Sequence, residues 1–283
     1  MIGSRVAFTT VLLASLVAAA GGDDGTVPKL DYPAVATSAK AGEWVLTVNK
    51  LQWARFIAKP DKEGVIFYNH ELVAPGATTS RFKDLGGESS APNSFIIAIP
   101  KGGKAKLGDV VLTWWQSGSG MERAIVVGAQ DPTQPVVRYL DISYDNPAKG
   151  GPKRDTPIGQ MDEQLKPDTF TVIGKPFDVG TTVACKDDAD HKLAHVVSVA
   201  GDRLLLQAFA GAIVARAKAD CAALPVHPTT LKVKDKVIGD FSGTMHAATI
   251  TKIEPKIGRV WVTFDGLGKS EHALAYGNVI AKL

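Results

Sequence analysis

Few runs of residues in this chain have the types and spacing that could do chemistry. Gly266-Leu267-Gly268-Lys269-Ser270 resembles the end of a phosphate-binding loop. That motif needs a glycine five residues before its Gly-Lys pair, and Thr263 stands there. A helix should follow to aim backbone N–H groups at phosphate, whereas Glu271-His272-Ala273 reads as a strand. Gly239-Asp240-Phe241-Ser242-Gly243 misplaces its serine for a nucleophile elbow, and Gly118-Ser119-Gly120 is too short to be one. Both read as hairpin turns. The remaining cluster is Asp187-Asp188-Ala189-Asp190-His191, with His195 four residues on. It lacks the central glycine and terminal glutamate of a calcium loop, and no histidine–cysteine spacing of zinc type occurs. It reads as a solvated hairpin tip. No catalytic residue, metal ligand or cofactor is assigned.

Composition narrows the class. Lys and Arg total 32 and Asp and Glu 29, a formal charge of +3. Such near balance, with no basic run longer than Lys153-Arg154, argues against nucleic acid as partner. At the N-terminus, Arg5 precedes an apolar stretch from Val6 to Ala20 and then Gly21-Gly22-Asp23-Asp24. One positive charge, a short apolar segment and small residues at its end predict a secretory signal peptide over 1–20. Spanning a bilayer takes about 20 apolar residues, so stable insertion after cleavage is not expected. The expected place is periplasmic or secreted. Cys185 and Cys221 are the two cysteines; they form either a bridge, as an oxidising compartment favours, or two buried thiols.

The elements that would position any site are short strands with glycine turns. Lys236–Phe241, Ala247–Ile253, Arg259–Phe264, Lys269–Ala273 and Asn278–Leu283 read as five strands of a small barrel. The order recurs upstream: Val179–Cys185, Leu193–Val199 and Gly201–Phe209 match the first three, with Arg203 where Arg259 stands. Leu107–Thr113, Arg123–Val127 and Val136–Leu140 form a weaker copy, and Ala41–Thr47, Trp53–Ile57 and Gly64–Tyr68 another. Ala54, Ala124, Ala194 and Ala248 mark the second strands. Residues 70–94 and 143–169, rich in Pro, Gly, Ser and charge, take up the extra length as loops. Leu204–Ala223 also admits a helix by propensity. The division expected is a linker over 21–40 and four units over 41–100, 101–174, 175–228 and 229–283.

Asp235-Lys236-Val237-Ile238, Ala248-Thr249-Ile250, Val260-Trp261-Val262-Thr263-Phe264-Asp265 and Asn278-Val279-Ile280 resemble the Tudor and agenet branch of SH3-like barrels. The resemblance covers 233–283 well, 179–226 fairly and 107–142 at its first two strands. It implies an all-β chain of tandem SH3-like, Tudor-like barrels after the signal peptide. First and last strands lie side by side in such a barrel, which implies a Cys185–Cys221 disulfide. Family members often hold methylated side chains in aromatic cages. The cage positions here are Met245 and His246, Met121 and Glu122, and His191 and Lys192, so that pocket does not carry over. The best-placed ligand-binding residues are Phe241, Phe264 and Asp265, with Trp114, Trp115 and Tyr139 as counterpart; alternate aromatics on such strands otherwise serve the core.

The expected function is that of an exported non-enzymatic binding or scaffold protein, with an envelope protein, peptide or glycan as partner. The alternatives are an exported hydrolase with dispersed Asp, Glu and His residues, marked by a deep pocket of convergent acids, and a purely structural envelope protein.

Overall fold

The computed structural model describes residues 27, 30–117, 120–142 and 162–283; the segment 1–20, expected as a signal peptide, lies outside them. The chain is all-β, with four five-stranded groups and one α-helix among the described residues.

In the first group, β1 (Trp44–Thr47) leads through α1 (Lys50–Ala58) to β2 (Tyr68–Ala74), β3 (Thr79–Asp84), β4 (Gly87–Pro92) and β5 (Ile97–Ile99). The second holds β6 (Val110–Trp114), β7 (Met121–Gly128), β8 (Val136–Tyr139), β9 (Asp162–Gln164) and β10 (Thr171–Ile173). The third holds β11 (Thr182–Asp187), β12 (Asp190–Ala200), β13 (Arg203–Ala208), β14 (Ile213–Ala217) and β15 (Cys221–Ala223). The fourth holds β16 (Lys236–Phe241), β17 (Thr244–Glu254), β18 (Arg259–Phe264), β19 (Glu271–Ala275) and β20 (Val279–Ile280). In every group the first strand lies between the second and the fifth, and the second, third and fourth follow as an antiparallel meander. A single bridge, Lys192 to Thr244, joins the third and fourth groups. No ladder among the described residues closes a sheet on itself.

Two local devices recur four times. The third residue of the turn before the first strand has positive φ: Gly42 (77°), Gly108 (85°), Gly180 (88°) and Lys234 (78°). The next residue returns its N–H to the turn's first carbonyl, at Lys40, Lys106, Asp178 and Lys232. That is the geometry of a turn needing left-handed backbone, which glycine adopts without a Cβ clash. The turn then clasps one residue of the second strand through two backbone bonds. Leu72, Val126, Val196 and Ile250 each donate to one turn residue and accept from another at 2.8–3.0 Å. A bulge follows that residue in each group, between Leu72 and Ala74, Val126 and Gly128, Val196 and Ser198, and Ile250 and Lys252. Bulges bend the strand and increase its twist.

The first group departs from the expected strands. Trp53–Ile57 lies in α1, where Trp53 and Phe56, three residues apart, both meet Phe95 at ring separations of 5.1 and 5.8 Å. The Asn49 side chain caps the helix by accepting from Gln52 N–H at 2.9 Å. Ala54 is therefore helical, and the position matching Ala124, Ala194 and Ala248, two residues before the clasped one, is His70. Of Gly64–Tyr68, only Tyr68 is in a strand. Residues 70–94, expected as loop, carry most of β2 and all of β3 and β4. Leu204–Ala223 is not helical: β13 turns at Phe209–Gly211 into β14.

The core explains the continuous apolar runs. Val111 packs in a small interior with Ala124, Val126 and Tyr139, while Val110, Leu112 and Trp114 face a core shared by all four groups. Leu204 and Leu206 fill the third group's interior as Leu205 joins the shared core. Strands buried on both faces read as unbroken Val and Leu rather than as alternation. The groups are thus fused, not strung apart. Residues 30–40 have no strand, yet Tyr32 is buried and donates to Ser198 at 2.8 Å, and Arg203 bonds Asp31.

Candidate functional site

The four groups converge on a cavity of about 730 Å³. Gln52 and Gly64–Ile66 contribute one wall, Leu140–Ile142 a second, Leu193, His195 and 207–211 a third, and Asp240, Gly243, Arg259, Ala273–Ala275 and Asn278 a fourth. The first and third walls meet backbone to backbone. Val65 N–H donates to Gly211 O at 2.9 Å, and a Cβ on Gly64 would fall 2.1 Å from Ala210 O. Only glycine permits that approach.

The polar groups of the cavity come from strands, strand ends and turns. Arg123, on β7, is buried, and its Nε lies 3.2 and 3.0 Å from the two carboxylate oxygens of Asp141 just beyond β8. Its terminal nitrogens also reach Asp141, Tyr276 O at 3.0 Å and Asn278 Oδ1 at 2.9 Å, tying the second group to the fourth. Arg259 at the start of β18 returns the link through Tyr139 O and Ile142 O at 3.0 and 3.2 Å. Burial alone would raise the Asp141 carboxyl, but the Arg123 guanidinium holds it well below the usual carboxylate range.

His195, in the middle of β12, faces this pair. Burial, with Arg123 nearby, lowers its pKa to about 4 against the pull of Asp141, so the ring is neutral. Its Nδ1 has no hydrogen-bond partner among the described residues. Asp240 near the end of β16 accepts from Gly243 N–H at 2.8 Å, and burial raises its carboxyl to about 6. Behind the cavity, burial and the Asp141 charge push Glu122 up to about 9, and its Oε2 likewise finds no partner among the described residues. The arrangement offers acceptors, donors and a neutral imidazole in a sheltered space. No Ser, Thr, Cys, Lys or Tyr is among the described residues lining it, and the groups there that could act as base or nucleophile are Asp141, Asp240 and His195. Asp141, clamped by an arginine, is a weak base.

The residues favoured from sequence lie elsewhere. Phe241 and Phe264 do meet, edge to face at 5.2 Å, with His246 and His272 around them, but Phe264 is buried in the shared core. Asp265 points away and pairs with Lys236 at 3.1 Å. Trp114 is buried against Trp44 at 5.5 Å, whereas Trp115 is 38% exposed. Tyr139 is buried and donates to Glu163. Those three make no common face. Asp187 and Asp190 face each other across the β11–β12 hairpin, Asp187 pairing with Arg216 of β14 and Asp190 with Lys192 on its own strand, and no metal-sized cluster of His, Cys, Asp and Glu occurs among the described residues. Cys185 and Cys221 are cross-strand neighbours on β11 and β15 and form a disulfide, their Cα atoms 4.0 Å apart. No helix among the described residues is long and apolar enough to cross a membrane.

Arg123, Asp141, Asp240, Arg259 and Asn278 were not read as site residues, and His195 was weighed only beside an acidic cluster as a metal ligand. A signal that finds two of them is a charge or imidazole inside an apolar strand, as in Arg123-Ala124-Ile125-Val126 and Leu193-Ala194-His195-Val196. Such a group needs a buried partner, and Arg123 finds Asp141 in its own group and Tyr276 O and Asn278 in the fourth. Comparison with protein-family models and with curated proteins finds no match to this chain.

Proposed function

We propose that this is an exported, non-enzymatic binding protein of tandem SH3-like, Tudor-like barrels that takes its ligand in the central cavity. Three features repeated in every group support the barrel reading: the first strand between the second and fifth, the left-handed turn clasping the second strand, and the bulge after the clasped residue. The disulfide and the segment Arg5–Ala20 support export.

One observation carries the functional reading. All four groups send polar side chains into one cavity, as ligand sites do, and one of its two carboxylates, Asp141, is held by Arg123. The test is calorimetric titration of mature protein with fragments of envelope glycans and peptides. Saturable binding without turnover, weakened in Asp240→Asn, is expected; product release in the same mixtures would overturn the non-enzymatic part.

The hydrolase reading has one observation in its favour, a cavity holding Asp240, with its raised pKa, in company with His195. It requires that Asp240 deliver a proton to a leaving group. Hydrolysis abolished by Asp240→Asn would establish it.

A further inference from the structure

Phe209 is 65% exposed on the cavity's lip, although a large apolar ring normally packs inward. Its backbone packs closely on the fourth group: Ala210 and Gly211 after it adopt positive φ of 56° and 80°, and a Cβ on Gly243 would fall 2.5 Å from the Phe209 Cβ. A solvent-facing ring beside a polar cavity is a surface for an apolar ligand face.

The cavity's polar groups define the rest of the ligand. Asp141 is already neutralised by Arg123, and the remaining charged liners, Asp240 and Arg259, are opposite in sign and share one wall. A charged ligand would lose its hydration without an unmatched counter-charge to receive it. The backbone of the first wall is engaged too: Val65 N–H bonds Gly211 O, Val65 O accepts from Gln207 at 2.7 Å, and Ile66 N–H bonds Gln52 at 3.2 Å. An extended peptide has no ladder to join there. Hydroxyl groups, each donor and acceptor at once, match a wall that mixes a carboxylate, a guanidinium, amides and an imidazole.

We infer that the central cavity binds a neutral oligosaccharide, with Phe209 stacking on a sugar face and Asp240, His195 and Asn278 meeting its hydroxyls. This rests on the cavity being the ligand site and adds the class of ligand. The experiment titrates the mature, disulfide-bonded protein with neutral glucose and N-acetylglucosamine oligomers, uronic-acid oligomers and peptides of similar size. Neutral oligomers should bind, Phe209→Ala should weaken them about tenfold, and Phe209→Trp should hold affinity within about threefold. Melting temperatures of both variants should match the parent, since the ring is exposed. Binding of uronic-acid oligomers or peptides alone, lost in Asp240→Asn, would overturn the ligand class and leave the cavity reading standing. Neutral binding indifferent to both Phe209→Ala and Asp240→Asn would place the sugar elsewhere and overturn the proposal. Failure of every probe would sink both readings.

Discussion

Arg123 and Asp141 form a two-pronged ion pair at the meeting point of the four strand groups, with 3% and 19% of their side chains accessible. The same guanidinium holds Tyr276 O and Asn278 of the last group. Arg123→Met should therefore cost about 3–5 kcal/mol in urea unfolding, because it strands a carboxylate and two further acceptors away from water. Asp141→Asn, which keeps an acceptor for the arginine, should cost less. Equal, small losses for both would mean that the pair does not tie the groups together.

Stability should fall above neutral pH. Glu122 is protonated in the fold up to about pH 9 but ionises near 4.5 when unfolded, so the folded state holds the extra proton between those values and loses stability as pH rises. His195, lowered to about 4, acts in the opposite sense from about pH 4 to 6.5, and Asp240, raised to about 6, largely offsets it over the lower part of that window. From pH 6.5 to 9 Glu122 acts alone, with a slope of at most about 1.4 kcal/mol per pH unit. Denaturation midpoints across that range should decline in the parent and stay flat in Glu122→Gln.

The third group should depend on its bridge. The Cys185–Cys221 link closes a loop with a sequence separation of 36, worth about 3–4 kcal/mol on the chain-entropy account. Paired Cys185→Ala and Cys221→Ala substitutions should lower the melting temperature, and reductant should lower the parent's but not the variant's. A melting curve indifferent to reductant would contradict this.

Lys234 holds the left-handed position that glycine fills in the other three turns. The strain of a Cβ there is roughly 1 kcal/mol, partly offset by glycine's greater freedom when unfolded. Lys234→Gly should raise stability by a few tenths to about 1 kcal/mol in urea unfolding, while Gly108→Lys should lower it.

The strand content was legible because Val, Ile and Thr runs between glycine turns have few other ways to bury themselves. Lys236–Phe241 and Arg259–Phe264 fall on β16 and β18 as read, and the turn at Ala210 and Gly211 gave β13 and β14 in place of a helix. The first group was misread because Trp53-Ala54-Arg55-Phe56-Ile57 satisfies a strand template as well as a helical one. Asn49 as cap, and a Trp53–Phe56 pair needing one face toward Phe95, decide it. The site was not legible. Arg123 and Asp141, 18 residues apart, meet through the β7–β8 pairing, but Arg123 and Asn278, 155 apart, meet only through how the groups pack, which no local pattern encodes.

The most direct test of the central cavity is amide and side-chain NMR of the mature protein titrated with neutral N-acetylglucosamine and glucose oligomers. Shifts should cluster on residues from all four groups, among them Ile66, Ile142, His195, Phe209 and Asn278. Perturbations confined to the Phe241, His246 and His272 cluster, or to no contiguous set of residues, would contradict the account.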